Sequence, residues 1–379
     1  MGFNVPRLFA TAARGTERAL RDELKTLGLQ SLRVDHGGVH FEGDLAHGMK
    51  ACLHARCAVR VLWELGGFPV PTPAALYDGV RSLDWSEHLT PSHTLAVRAT
   101  CRDSTLTHSQ FVALKTKDAI VDQLRDRHGQ RPDVDVGNPD VPVYVRVSGD
   151  RATVYLDLAG EALHRRGWRT RTTDAVMKET LASAVLSLCR WEPWRPLVDP
   201  LCGAGTIPIE AALRARNVAP GLDRGFAFER WPRYDDALRA RWNELRAEAR
   251  AAVKGRCEVP IVAADRDPEA VECARLNARQ AGVEGDLTLR VGDARDLTWE
   301  HLRGHLVTDP PYGDRLRASA QELQGFYQRL GEVVAGLRGS IAAVLVGAPE
   351  LTRGFPVPVL KAFPLYNGNI PCTLQVYRP

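Results

Sequence analysis

LVDPLCGAGTIPIEAALRAR, residues 197–216, is the stretch on which the fold turns. An apolar run ends in Asp199, a turn carrying Gly203 and Gly205 follows, and apolar residues then recur at helical spacing. Strand, glycine turn and helix open a βαβ unit. A G-x-G turn lets the backbone pass close to a ligand at a helix N-terminus. From these residues alone an ordinary βα turn is an equal reading. Pro208 stands where a dinucleotide fingerprint has its third glycine, which argues against a pyrophosphate lying along the turn.

Towards the C-terminus, PIVAAD (260–265), LTLRVGD (287–293), HLVTD (305–309) and SIAAVLVG (340–347) repeat the apolar-strand texture with helical patterns between them. Such strands predict a parallel sheet covered on both faces. Asp265 ends the second strand, where an acid commonly accepts from a ribose diol. It follows Asp199 by 66 positions, against about 20 in compact dinucleotide folds. An insert between Arg216 and Cys257, with a helix-like segment at 237–253, accounts for the excess. Asp265 could equally serve the helix that follows, and Asp267 before Pro268 is its natural cap. Asp293 ends the third strand as an acceptor for an adenine amino group or as a plain loop acid.

The fourth strand breaks off in LVTDPPYGDRL (306–316). Proline cannot donate to a sheet ladder, so pairing stops at Asp309. The segment is either a rigid turn or a pocket needing acceptors and a flat face but no donors.

Upstream, strand and helix patterns alternate as βαββαβ over the first 65 residues, the order of a ferredoxin-like unit. FPVPTPAAL (68–76) reads as a linker. A second α+β unit follows, with a helix at 74–83, a strand at 94–101, a long helix near 108–127 and a hairpin over 141–158 around Ser148-Gly149-Asp150.

The length of 379 residues exceeds one ordinary core and predicts two or three domains. Hydrophobic residues make up 44% and charged ones 25%, an ordinary globular balance. A formal charge of +4 leaves any nucleic-acid role to local patches. The eight cysteines show no C-x-x-C pair, which disfavours a zinc site and predicts reduced, core-packed thiols and a cytoplasmic protein. Neither a signal peptide nor a run of about 18 apolar residues is visible.

Four successive strand ends carry D-x-x-C-G-x-G-T, A-D-x-D-P, G-D-A and D-P-P-Y, and in that order residues 172–379 resemble a class I methyltransferase using S-adenosylmethionine (SAM). The resemblance implies that Asp199, Cys202, Gly203, Gly205 and Thr206 surround the methionine part of SAM. It places Asp265 and Arg266 at the ribose, Asp293 and Ala294 at the adenine, and Thr180, in the helix-like MKETLASAVL, near the ligand. DPPY resembles the signature of enzymes that methylate planar amino nitrogens. Such a nitrogen is a poor nucleophile because its lone pair is delocalised. Acceptors at Asp309 and Pro310 would draw its two N–H groups towards sp³ geometry, Pro311 would stiffen the turn, and Tyr312 would stack on the base. Alignment does the rest, worth about 7–11 kcal/mol, with no metal.

Residues 67–162 resemble a THUMP RNA-binding domain, with VALKTKDAIVDQLRDR (112–127) as its central helix. The basic stretch from residue 163 to 176 resembles the linker into the methyltransferase domain, 163–379, and residues 1–66 the ferredoxin-like companion. Lys115, Lys117, Arg165, Arg166, Trp168 and Arg169 are the candidate RNA contacts. PGLDRGFAFERWP (220–232) and FPLYNGNIPCTLQVYRP (363–379) resemble segments of RlmL-type guanine-N2 methyltransferases acting on 23S rRNA. That implies a base pocket lined by Phe226, Phe228, Trp231 and Tyr366, although core packing is the alternative for each. The expected partner is therefore rRNA or tRNA, met by a monomer without membrane or metal, with adenine-N6 methylation of DNA, which would share DPPY, as the lesser alternative.

Overall fold

The computed structural model describes residues 6–172, 177–296, 303–311 and 320–379. Two sheets organise them. The N-terminal sheet has eight strands, β1 (Arg7–Ala12), β2 (Gln30–Asp35), β3 (Gly38–Glu42), β4 (Ala58–Pro69), β5 (Thr94–Arg102), β6 (Asp133–Val134), β7 (Val141–Ser148) and β8 (Arg151–Asp157), in the order 2-3-1-4-8-7-5-6. Helices α1 (Glu17–Thr26), α2 (Leu45–His54), α3 (Pro73–Arg81) and α4 (Ser109–His128) share one apolar core with it.

The expected linker at 68–76 is absent. β4 runs on through Phe68 and Pro69, and Pro73 sits in the first turn of α3, where its missing N–H costs nothing. Thr72 caps that helix by accepting from the Ala75 amide at 3.2 Å. β4 pairs with β1 through residues 58–63 and with β8 through residues 62–69, shifting register between Glu64 and Gly66. One strand therefore fuses the two α+β units, and the expected boundary at 66/67 falls inside it.

The C-terminal sheet contains β9 (Leu197–Asp199), β10 (Ile261–Asp265), β11 (Leu287–Val291), β12 (His305–Thr308), β13 (Ile341–Val346), β14 (Val359–Asn367) and β15 (Ile370–Tyr377) in the order 11-10-9-12-13-15-14. The first five in that order are parallel, as the apolar runs predict, and β15 and β14 close the edge antiparallel. Helices α5 (Glu179–Leu188), α6 (Thr206–Ala215), α7 (Asp236–Ala251), α8 (Pro268–Gln280) and α9 (Ala320–Ala335) complete the Rossmann-like unit.

The insert between α6 and β10 joins the halves. Trp242 of α7 packs edge-on against Phe226 and Phe228, at 5.5 and 5.1 Å, inside the core that the N-terminal helices also fill. Trp231 stacks on Trp63 of β4 at 6.4 Å. Gly221 donates to the Leu53 carbonyl at 2.9 Å, and a side chain there would meet the Cys52 carbonyl oxygen at 2.7 Å. Phe226, Phe228 and Trp231 thus bury 96% or more of their surface in an interdomain core and line no base pocket among the described residues. Tyr366 instead lies under the Arg14 guanidinium, 4.3 Å away.

Candidate active site

Crossing from β10 to β9 to β12 brings three strand ends together, and each ends in, or is followed by, an aspartate. This is the carboxyl edge of an open parallel sheet, where such folds hold ligands. Asp199 is 1% exposed. Its Oδ1 accepts from the Thr308 hydroxyl at 2.8 Å and from the Leu201 amide at 3.2 Å. Burial pushes its carboxyl up to about 8, against those two hydrogen bonds, and the negative charges of Asp265 and Asp309 push the same way.

Asp265 holds the glycine turn itself. Its Oδ2 accepts from the Gly203 amide at 3.0 Å and its Oδ1 from the Asp267 amide at 3.1 Å. Each oxygen keeps a second lone pair for a hydroxyl. Asp267, as expected, caps α8 by accepting from the Glu269 amide at 2.9 Å. Gly203 and Gly205 have φ of 50° and 84°, the left-handed region that glycine adopts freely. At Gly205 the close neighbour is not a ligand: a Cβ there would stand 2.9 Å from that of Ala274 on α8. Cys202 and Ala204 are buried in the same turn.

Asp293 is clamped. Arg295 grips both its oxygens, at 2.9 and 2.6 Å, and this bidentate pair holds its carboxyl down at about 2. A new contact from Asp293 would compete with Arg295, whereas Ala294 beside it is buried. Asp309 is half-buried, Pro310 buried, and the Pro311 carbonyl accepts from the hydroxyl of the fully buried Tyr327 at 3.3 Å. Tyr312 lies outside the described residues.

Two buried polar atoms at the start of α5 have no partner among the described residues: the Thr180 hydroxyl and Nη1 of Arg169. An unpartnered buried group is costly, so this corner suits a polar ligand. Converging acids with an unmet hydroxyl fit a ligand that carries cationic and hydroxyl groups, as SAM does.

The basic junction does not face solvent as expected. Arg166, with its side chain 3% exposed, donates to Glu210 Oε1 at 3.4 Å and to the Leu163 and Arg56 carbonyls at 2.6 and 2.5 Å. Trp168 is 5% exposed. Arg169 turns inward to Glu179 at 2.8 Å and to the Thr206 hydroxyl at 3.0 Å. These three residues fasten the junction to the methyltransferase unit, because a buried guanidinium needs carboxylate and carbonyl partners. Arg165 remains exposed, bonded to Glu161 at 2.9 Å. On α4, Lys115 rests over the Tyr77 ring at 4.8 Å and Lys117 pairs with Asp118.

The residue missed from the sequence is Asn277. It is fully buried on α8, and its Oδ1 accepts from the Thr170 and Arg171 amides at 3.0 and 3.2 Å. Its Nδ2 donates to the carbonyls of Arg171 and Ala204 at 3.1 and 3.0 Å, tying the junction to the glycine turn. A signal was present: an amide on the apolar face set by Ala270, Val271, Ala274 and Ala278. Glu210 within TIPIEAALRA is a similar case, held by the Ser183 hydroxyl at 2.6 Å.

Three families match along the chain: the RlmL ferredoxin-like domain over residues 7–62, the THUMP domain over 72–157, and the RMKL-like methyltransferase domain over 166–376. A ribosomal RNA large subunit methyltransferase K/L of Magnetococcus marinus is 41% identical across 97% of this chain. The chain spans about half the length of that relative, 52%. A putative RNA methyltransferase of Synechocystis is 37% identical and matched over 98% of this chain and 96% of its own. A solved structure of a putative methyltransferase complexed with SAH (S-adenosylhomocysteine) superimposes with a TM-score of 0.88 at 32% identity, covering 100% of this chain and 99% of that one.

Proposed function

We propose, from the premise that the chain belongs to the RMKL-like methyltransferase family with ferredoxin-like and THUMP units, that it transfers a methyl group from SAM to the exocyclic N2 of a guanosine in RNA, with 23S rRNA as the preferred substrate. The carrying observation is the end of β12: Asp309 and the Pro310–Pro311 backbone stand beside the Asp199–Thr308 pair, where a ligand of the sheet edge would lie. SAM supplies an electrophilic methyl on a sulfonium. Thr180, Asp199, the turn from Cys202 to Thr206, Asp265 with Arg266, and Ala294 would hold it.

Asp309 and the Pro310 carbonyl accept from the two N–H groups of the guanine amine, raising its lone pair out of conjugation. SAM would supply the methyl, its C–S bond breaking with the electron pair left on sulfur as the N–C bond forms, and the proton shed by the amine would pass to water by way of the Asp309 carboxylate. Pro311 and the hydrogen bond from Tyr327 keep that acceptor pair rigid. The name of the Magnetococcus relative supports rRNA, and the THUMP match supports an RNA rather than a DNA substrate. A tRNA guanosine is the alternative within the same chemistry.

The test is methyl transfer from labelled SAM to unmodified 23S rRNA and to a tRNA pool. Label in rRNA, abolished by Asp309→Ala with SAH affinity kept within a few-fold, supports the reading. Label in tRNA alone overturns the choice of rRNA, and full activity of Asp309→Ala overturns the acceptor role.

A further inference from the structure

The N-terminal sheet buries Leu8, Ala10 and Leu156 against its helices, and strand alternation sends Phe9, Leu62 and Tyr155 to the opposite face as a separate small cluster. On that face a groove of about 540 Å³ crosses strands from both α+β units, β2, β3, β1, β4, β8 and β7. Its size falls within the range of ligand clefts, about 300–1,000 Å³. It lies apart from the candidate active site, and none of its lining residues has a role so far.

Four arginines line the groove, and they differ in how far they are committed. Arg146 is held by Asp35 at 2.9 Å and by the His36 carbonyl at 2.8 Å, with its guanidinium 4.7 Å over the Phe9 ring. Arg151 donates to the Gly67 carbonyl at 2.9 Å. The side chains of Arg7 and Arg33 are exposed and make no hydrogen bond or ion pair among the described residues. Glu64 is half-buried and likewise has no hydrogen-bond partner among them. Burial raises its carboxyl pKa, although Arg7, Arg151 and Arg33 lie near enough to pull it down. The groove therefore offers two uncommitted cations and one uncommitted, partly desolvated acceptor, side by side on a fixed sheet. Phosphate suits the first and a base amino group the second.

We propose that this groove seats one unpaired nucleotide of the RNA, its phosphate on Arg7 and Arg33 and the amino group of its base donating to Glu64. The inference rests on the reading of RNA as substrate. It adds to that reading a contact remote from the reacting base, through which the sheet would register the RNA before chemistry.

The test is fluorescence anisotropy of the full chain with labelled rC10 and rU10, since cytosine has an amino group and uracil has none. Calorimetric SAH binding is measured on every variant to certify its fold. The expected result is tighter binding of rC10 than rU10 by wild type. Arg7→Glu/Arg33→Glu weakens both tenfold or more and lowers the salt slope by about 0.7 for each phosphate that is no longer neutralised. Glu64→Ala erases the preference for rC10. Arg7→Ser/Arg33→Ser should show the same trend with a smaller loss, should the charge reversal disturb folding.

Wild type that binds SAH but neither RNA overturns the functional reading itself. Wild type that binds RNA while both arginine double variants stay within twofold overturns the groove alone. Equal binding of rC10 and rU10 by wild type overturns the Glu64 contact. Binding of a ten-residue oligo-glutamate that the arginine variants abolish, with RNA binding intact, gives the groove to a protein partner and overturns the proposal.

Discussion

Replacing Asn277 by alanine leaves six groups to find other partners: the Thr170 amide and hydroxyl, the Arg171 amide and carbonyl, the Ala204 carbonyl and, as a weak acceptor, the Cys273 sulfur. The costs differ by burial. Thr170 and Arg171 are exposed, so water replaces their bonds at about 0.5 kcal/mol or less each. Ala204 is 5% exposed, and a buried acceptor left unmet costs about 1–3 kcal/mol. The sum is about 1–5 kcal/mol, concentrated where the junction meets the glycine turn. A loss of this size lowers the melting temperature by about 2–20 °C for a domain of this size. Two local readouts should accompany it: faster proteolysis between residues 163 and 172, and SAH binding weakened several-fold by calorimetry. Asn277→Asp should behave no better, because a carboxylate cannot donate to the Arg171 and Ala204 carbonyls. An alanine variant that melts within one degree of wild type and binds SAH within twofold would refute the reasoning.

Other perturbations follow from the same contacts. Trp242→Ala removes a side chain that is 1% exposed between Phe226 and Phe228; a loss of about 3–5 kcal/mol is expected, with the halves separated by limited proteolysis. Arg166→Ala leaves Glu210 buried without its directly paired cation; it should destabilise by about 3–5 kcal/mol and leave the salt slope of RNA binding unchanged, as a solvent-facing RNA contact would not. The raised carboxyl of Asp199, at about 8 in the fold against an ordinary 3.8, makes its protonated form the stabilised one. Stability without ligand is then full below about pH 4 for this group and falls as pH rises towards 8. Cationic SAM favours the ionised form, so its affinity should rise from pH 6 to 9 while that of SAH changes less; Asp199→Asn should remove the difference in calorimetric titrations.

The parallel sheet was legible because apolar strands and helical spacing alternate from Leu197 onward on both sides of the insert between Arg216 and Cys257. The strand-end acids were legible for the same reason: a charged residue after an apolar run marks the place where a strand leaves the core. The N-terminal fusion was not, because Pro69 and Pro73 read as linker punctuation, whereas one ends a strand and the other opens a helix. The junction arginines misled in a similar way. Composition reports that Arg166 and Arg169 are basic, but only packing shows that Glu210 and Glu179 neutralise them. The aromatics of the insert were ambiguous on the same ground, since Phe226 and Trp231 look alike in sequence whether they meet a base or the Trp63 and Trp242 side chains. Asn277 escaped notice because a single amide on a helix carries no motif. Its four principal partners come from segments distant in sequence, at 170–171 and 204.

The central claim, methylation at guanine N2, is tested most directly by identifying the modified nucleoside. Purified protein is incubated with SAM and unmodified 23S rRNA, the RNA is digested, and the nucleosides are resolved by mass spectrometry. The account predicts N2-methylguanosine, absent from the Asp309→Ala reaction. N6-methyladenosine, or any other methylated nucleoside in its place, would contradict it.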